Sequence, residues 1–269
     1  KVDFLYVRRE DFGKYVNFTL KLTQLASKSD RVTSSQKAKL YRHTTEVLVN
    51  QVCFSGMDKA QLGYARQVVD DVVKSVSEEK HLLGLLSESS QNGDALYSHT
   101  LAVSVLSSLI AKEHGWGAPA SLFKVTVGAL FHDVGKRELD PALMTKSRLF
   151  LTAAEIALIE THPTRSRDIL QQISSLPDEI ALIAFNHHEN RCGTGYPQRL
   201  IGEAIHPVAR LISIANKFCN LMFPVRDGTT PMGLNEALSR MMTTHADELD
   251  PTMLRRLLSL FPESERKTG

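Results

Sequence analysis

The apolar positions of this chain recur at helical spacing almost throughout, and the elements they predict are helices. Leu62, Tyr64, Ala65, Val68, Val69, Val72 and Val76 follow Gly56 and a capping Asp58, and they predict a long helix from 58 to about 86. Upstream, Thr33-Ser34-Ser35-Gln36 carries the Ser/Thr-x-x-Gln pattern, in which hydroxyl and amide satisfy each other's backbone N–H. It opens a helix running to about Val52. Further helical patterns lie at about 94–115, 119–133, 152–160, 164–174, 177–188, 206–223, 231–246 and 250–261. Phe4-Leu5-Tyr6-Val7 is a short β-prone run, and strand-like alternation is otherwise almost absent.

The predicted fold class is therefore all-α. The polar, turn-rich stretch Ser87-Glu88-Ser89-Ser90-Gln91-Asn92-Gly93 divides the chain. Residues 1–88 read as a small, mostly helical regulatory or dimerisation domain, and residues 89–269 as a helical bundle. The long helix ending near Leu86 offers its surface to a second copy, which makes a homodimer the expected assembly.

Composition narrows the function. Hydrophobic residues make up 42% of 269 and charged residues 23%, as in an ordinary globular chain. Lys+Arg at 32 against Asp+Glu at 30 leaves a net charge of +2, which argues against a nucleic-acid polymer as partner. A small anion in a local basic pocket fits that balance. The cysteines Cys53, Cys192 and Cys219 are sparse and unpaired in spacing, which predicts reduced thiols and a cytoplasmic setting. No apolar run reaches the roughly 18 residues of a membrane span, and no signal peptide is visible.

The candidate chemistry lies in the histidines. His132-Asp133 ends an apolar helix containing Val125, Val127, Ala129, Leu130 and Phe131, and Gly135-Lys136 follows. His187-His188-Glu189 ends another, with Ile180, Leu182, Ile183, Ala184 and Phe185. His162 precedes Pro163 next to a predicted helix, and His99 opens the main helix of the second part. One such histidine is ordinarily a packed or surface group, and His-Asp pairs arise by chance. Four segments that each deliver histidine at a helix edge point to metal ligation, because neutral imidazole is among the commonest ligands.

His99, His132, Asp133, His162, His187 and His188 are too many ligands for one tetrahedral zinc. They suit two ions about 3.5–4 Å apart with the Asp133 carboxylate between them. Nitrogen and oxygen donors without thiolate favour iron, with manganese second. Two such ions generate hydroxide at neutral pH and neutralise charge on a phosphorus centre, which makes a phosphoester the expected substrate. Lys136 is placed to meet a non-bridging phosphate oxygen.

At these residues the chain resembles the HD-GYP family, phosphodiesterases of the HD superfamily that degrade cyclic di-GMP. The resemblance runs from about Asp94 to Pro262 and rests on His99, His132-Asp133-Val134-Gly135-Lys136, His162-Pro163, His187-His188-Glu189, Gly193-Thr194-Gly195-Tyr196-Pro197, Ala209-Arg210 and Leu249-Asp250-Pro251. It implies an HD-type helical bundle whose histidines and Asp133 ligate the metal while Lys136 contacts the scissile phosphate. It further implies that Gly193, Gly195, Tyr196 and Pro197 line the substrate pocket, with Arg226 pairing a substrate phosphate. Cyclic di-GMP is then the expected substrate and linear pGpG the product, with GMP as a further one. The loop around Tyr196 is also a candidate surface for a protein partner.

The departures are specific. The family's A-D-x-x-D-A-L reads Ala215-Asn216-Lys217-Phe218-Cys219-Asn220-Leu221 here, so two aspartates are asparagines. Asn216 still offers a carbonyl oxygen as a ligand, with one negative charge fewer. Ala95 replaces a glutamate that supports a third ion in some members, so two ions are the expected maximum. Asn190-Arg191-Cys192 stands in place of the usual Trp-Asp, and Asp227-Gly228-Thr229 where a lysine is frequent. The competing expectation is a weak or inactive module that binds cyclic di-GMP or a partner protein.

Overall fold

In the computed structural model, residues 7–79, 95–224 and 228–261 are described. The predicted boundary at 87–93, His81, Phe4–Tyr6 and Arg226 lie outside them.

The chain begins with α1 (Phe12–Ser27), α2 (Ser34–Ser55) and α3 (Lys59–Glu79). The expected capping box is present at α2, where the Thr33 hydroxyl accepts from Gln36 N and the Gln36 amide oxygen accepts from Thr33 N at 2.9 Å. Asp58 and Gln61 make the same reciprocal pair at the start of α3. His43 sits half-exposed on α2, 2.7 Å from the Tyr15 hydroxyl of α1 and 3.4 Å from Glu46.

Next come α4 (Ala95–Glu113) and α5 (Pro119–Phe131), which pack extensively on each other, and a 3-10 turn at Val134–Glu138. Between that turn and Thr152 periodicity predicts no element. The structure places α6 (Pro141–Thr145) there, started by Asp140 accepting from Ala142 N and too short to show a period. Then follow α7 (Ala153–Ile159), α8 (His162–Gln171), α9 (Asp178–Asn186), α10 (Pro207–Met222), α11 (Leu234–Thr243) and α12 (Pro251–Ser259). Helix α8 begins two residues before the predicted start because Pro163, with no N–H to satisfy and a preset φ, suits a first turn.

Among the described residues there is no strand, only an isolated bridge between Cys192 and Ile201. All-α is the fold. One core runs through the molecule: Leu20 of α1, Leu48 of α2 and Val69 of α3 belong to the same buried cluster as Leu106, Phe131, Ile183, Ile212 and Phe218. Burial of each such side chain contributes about 1.5–3 kcal/mol, so the first three helices help hold the later ones. No described helix is long and apolar enough to cross a membrane.

The 3-10 turn lies hard against α8. A Cβ on Gly135 would collide with the His162 carbonyl and approach Ser166 N to 2.5 Å, while Gly135 N donates to Ser166 Oγ at 2.8 Å. Only glycine permits that approach, and it brings Asp133 and Lys136 to the helix that carries His162.

Candidate metal centre

Three imidazoles reach the centre by one local device. His132 follows the last turn of α5, His187 follows that of α9, and His162 follows the end of α7. The last carbonyls of a helix have no intrahelical partner. Each imidazole supplies one: His132 Nδ1 lies 2.6 Å from Ala129 O, His162 Nδ1 2.7 Å from Ile159 O, and His187 Nδ1 2.6 Å from Ala184 O. A carbonyl only accepts, so Nδ1 carries the proton and Nε2 keeps its lone pair. All three Nε2 lone pairs then point inward.

They converge on Asp133. His162 Nε2 and His187 Nε2 lie 3.1 and 3.4 Å from Asp133 Oδ1, and His132 Nε2 lies 3.1 Å from Oδ2. His188 lies beside His187, with ring centroids 4.2 Å apart and planes tilted by 49°. His99, from the first turns of α4, brings Nε2 to 4.0 Å from Oδ2 and to 2.9 Å from Asn216 Oδ1 on α10. Two donor groups result, Asp133 with His162, His187 and His188, and Asp133 with His99 and His132.

The donors fit a metal on the structure's own terms. Asp133 Oδ1, His132 Nε2 and His188 Nε2 are buried atoms without a hydrogen-bond partner among the described residues. Such atoms are costly unless something satisfies them. His162 Nε2 and His187 Nε2 face each other at 3.3 Å with neither carrying a proton, so a cation is the natural occupant. Nitrogen and carboxylate donors without a thiolate suit a first-row divalent ion.

Burial tunes these groups for ligation. It holds the pKa of His99 and of His187 down to about 3, and it lowers those of His162 and His188, so these imidazoles are neutral at pH 7. For Asp133, burial alone would push the pKa up. The Lys136 ammonium beside it overturns this and holds it well below the usual range. Lys136 Nζ sits 2.6 Å from Asp133 Oδ2. The Asp133–Lys136 pair therefore forms, buried at its carboxylate end rather than on the surface.

The glycine loop closes one side. The Tyr196 ring stacks on His188, with centroids 4.6 Å apart and planes 16° from parallel. Tyr196 N donates to His188 O at 3.2 Å, and a Cβ on Gly195 would strike that same carbonyl and lie 2.7 Å from Glu189 Cα. Gly193 and Pro197 belong to the same turn, with Gly193 at φ 71°.

Glu189 is the residue that sequence reasoning did not assign. It is buried, and its two carboxylate oxygens accept from Gln198 N at 2.6 Å and Leu200 N at 2.9 Å. Its place in the His187-His188-Glu189 run was the available signal. Asn220 is a second such residue, donating to Asn216 Oδ1 at 3.0 Å.

Comparison with known proteins agrees with this geometry. A family model described as HD domain matches residues 79–253, well over half the chain. A cyclic di-GMP phosphodiesterase of Pseudomonas aeruginosa is 28% identical over 208 residues, covering 74% of this chain and 48% of that protein. A 3'3'-cGAMP-specific phosphodiesterase of Vibrio cholerae is 29% identical over 168 residues, covering 61% of this chain and 36% of its own length. The chain thus spans a third to a half of these relatives. Among solved structures, an HDG"Y"P protein from Bdellovibrio bacteriovorus superposes with a TM-score of 0.73 at 20% identity, over 93% of this chain and 80% of that one. That likeness concerns the fold.

Proposed function

Since this chain belongs to the HD domain family, and within it to the HD-GYP group, we propose that it is a metal-dependent phosphodiesterase that hydrolyses cyclic di-GMP to linear pGpG and then GMP. The observation that carries the reading is the Asp133 carboxylate, set between two groups of buried imidazoles, with Asp133 Oδ1, His132 Nε2 and His188 Nε2 lacking hydrogen-bond partners among the described residues. The available donors are His99, His132, Asp133, His162, His187 and His188, with Asn216 beside His99, and iron is the proposed metal ahead of manganese. When bound, divalent ions supply Lewis acidity toward phosphate oxygens and a hydroxide nucleophile at neutral pH.

The chain's own residues do the rest. Asp133 and the neutral imidazoles hold positive charge where a phosphate would arrive. Lys136 Nζ, 2.6 Å from Asp133 Oδ2 and partly open to solvent, turns toward a non-bridging oxygen and neutralises charge that develops there. Tyr196, fixed on His188, presents its face and hydroxyl to the nucleotide, and the Gly193–Pro197 turn lets backbone approach it closely. Arg226 is assigned to a substrate phosphate through the family motif. Residues 1–88 are assigned to regulation or dimerisation in a cytoplasmic protein. Phe18, Leu22 and Leu25, exposed along one face of α1, support a second copy as partner.

The test is turnover of cyclic di-GMP by purified protein loaded anaerobically with iron(II) or manganese(II), with 3'3'-cGAMP as the competing substrate. Formation of pGpG, abolished in Asp133→Ala, supports the reading. Metal-loaded protein that binds intact cyclic di-GMP and releases no product overturns it in favour of a binding module, the role to which Asn216 and Asn220 would point.

A further inference from the structure

The two halves of the centre are not equivalent. On the side of His162, His187 and His188, the donors are free to ligate. Asp133 Oδ1 and His188 Nε2 have no hydrogen-bond partner among the described residues. His162 and His187 are both fixed by carbonyls with their lone pairs inward.

On the side of His99 and His132, most donors are already committed. Asp133 Oδ2 carries the Lys136 ammonium at 2.6 Å. His99 Nε2 is 2.9 Å from the Asn216 amide, and Asn220 Nδ2 is 3.0 Å from the same amide atom. The orientation of that amide does not alter the outcome. As oxygen, the atom spends both lone pairs on His99 and Asn220; turned to nitrogen, it has no lone pair to offer. His99 also lacks the carbonyl anchor of the other three, its Nδ1 having no partner among the described residues. Only His132 Nε2 remains uncommitted on this side.

Charge follows the same division. An amide at position 216 brings no net negative charge to attract a dication, and Lys136 places a positive charge on Asp133, the one carboxylate of this donor group among the described residues. An ion on this side must displace an ammonium and break an amide–imidazole bond, whereas an ion on the other side satisfies atoms that would otherwise be orphaned.

We infer that this chain retains one divalent ion, held by Asp133, His162, His187 and His188, and that a Lys136–Asp133 and His99–Asn216–Asn220 hydrogen-bonded chain closes the second position. This rests on the metal-centre reading above and goes beyond it in assigning the occupancy of each half.

The experiment uses the full chain and manganese(II) alone. Protein is loaded, desalted, and read by elemental analysis and by paramagnetic resonance, with circular dichroism to check folding. Wild type is expected to keep one ion per chain with the hyperfine-split signal of an isolated manganese(II). His99→Ala keeps that ion, His188→Ala loses it, and Asn216→Asp rises to two ions with the altered signal of a coupled pair. Two ions in wild type, or loss in His99→Ala with retention in His188→Ala, overturn the inference while leaving a metal centre in place. Folded wild type that keeps no ion overturns the metal-centre reading itself, and the inference with it.

Discussion

The Nε2 atoms of His162 and His187 stand 3.3 Å apart with no proton between them, because each ring has spent its N–H on a carbonyl three residues earlier. Two lone pairs held that close repel until a cation lies between them. Removing either ring therefore costs the ion more than one ligand's worth of binding, since the survivor loses its partner in chelation. In His187→Ala, the metal-induced rise in thermal midpoint is expected to vanish, wild type gaining about 2.7 kcal/mol at metal 100-fold above Kd. A midpoint that still climbs with metal in this variant would contradict the ligand assignment.

Glu189 holds the Tyr196 loop through two charge-assisted bonds from backbone N–H groups. Glu189→Gln turns one of those acceptors into a donor facing a donor, at a cost of about 1–3 kcal/mol. The loop is expected to loosen, so KM for the dinucleotide rises while retained metal stays at the wild-type level. Falling metal content with unchanged KM would show that the carboxylate serves the ions instead.

Lys136 is the cation closest to Asp133. Lys136→Met is expected to lower kcat by about 10²–10³-fold, the range for losing one charge-stabilising donor. Metal content should not fall, because the variant frees Asp133 Oδ2. Turnover within twofold of wild type would remove the residue from the reaction.

Acid sensitivity follows from burial. His99 and His187 have folded pKa values of about 3 against 6.5 for an ordinary imidazole. Between those values the unfolded chain binds protons that the folded chain refuses, so stability rises with pH across the window. Metal-free protein is expected to be fully stable above about pH 6.5 and to lose stability steadily as pH falls toward 3. Urea midpoints at several pH values check this, and a flat profile below pH 6 would contradict it.

At Gly135, the space for a side chain is taken by the His162 carbonyl and Ser166 N. Gly135→Ala is expected to cost about 1–3 kcal/mol as overpacking and to pull the 3-10 turn away from α8. Chemical denaturation measures the first effect and metal retention the second.

The helices were legible because their apolar faces are long and their starts are marked by capping residues, as at Thr33 and Asp58. Short α6 shows no period and was invisible for that reason. The clustered histidines were legible as residue types at helix ends, and the structure brings His99, His132, His162, His187 and His188 close to Asp133. Side-chain direction was not. That Nδ1 of three rings turns onto a carbonyl, that Glu189 faces the loop and that Asn220 completes the Asn216 bond all depend on rotamers and long-range packing. Position along the chain alone does not specify these.

The carbonyl anchors of His132, His162 and His187 also impose an order of events. Each belongs to a helix C-terminus, so three negative dipole ends converge on the Asp133 carboxylate. Before a cation arrives, that basin repels a phosphate, and the Lys136 ammonium opposes the repulsion. On the proposed function, metal therefore binds first and nucleotide second, and a cell short of the metal would silence this chain by denying its substrate entry.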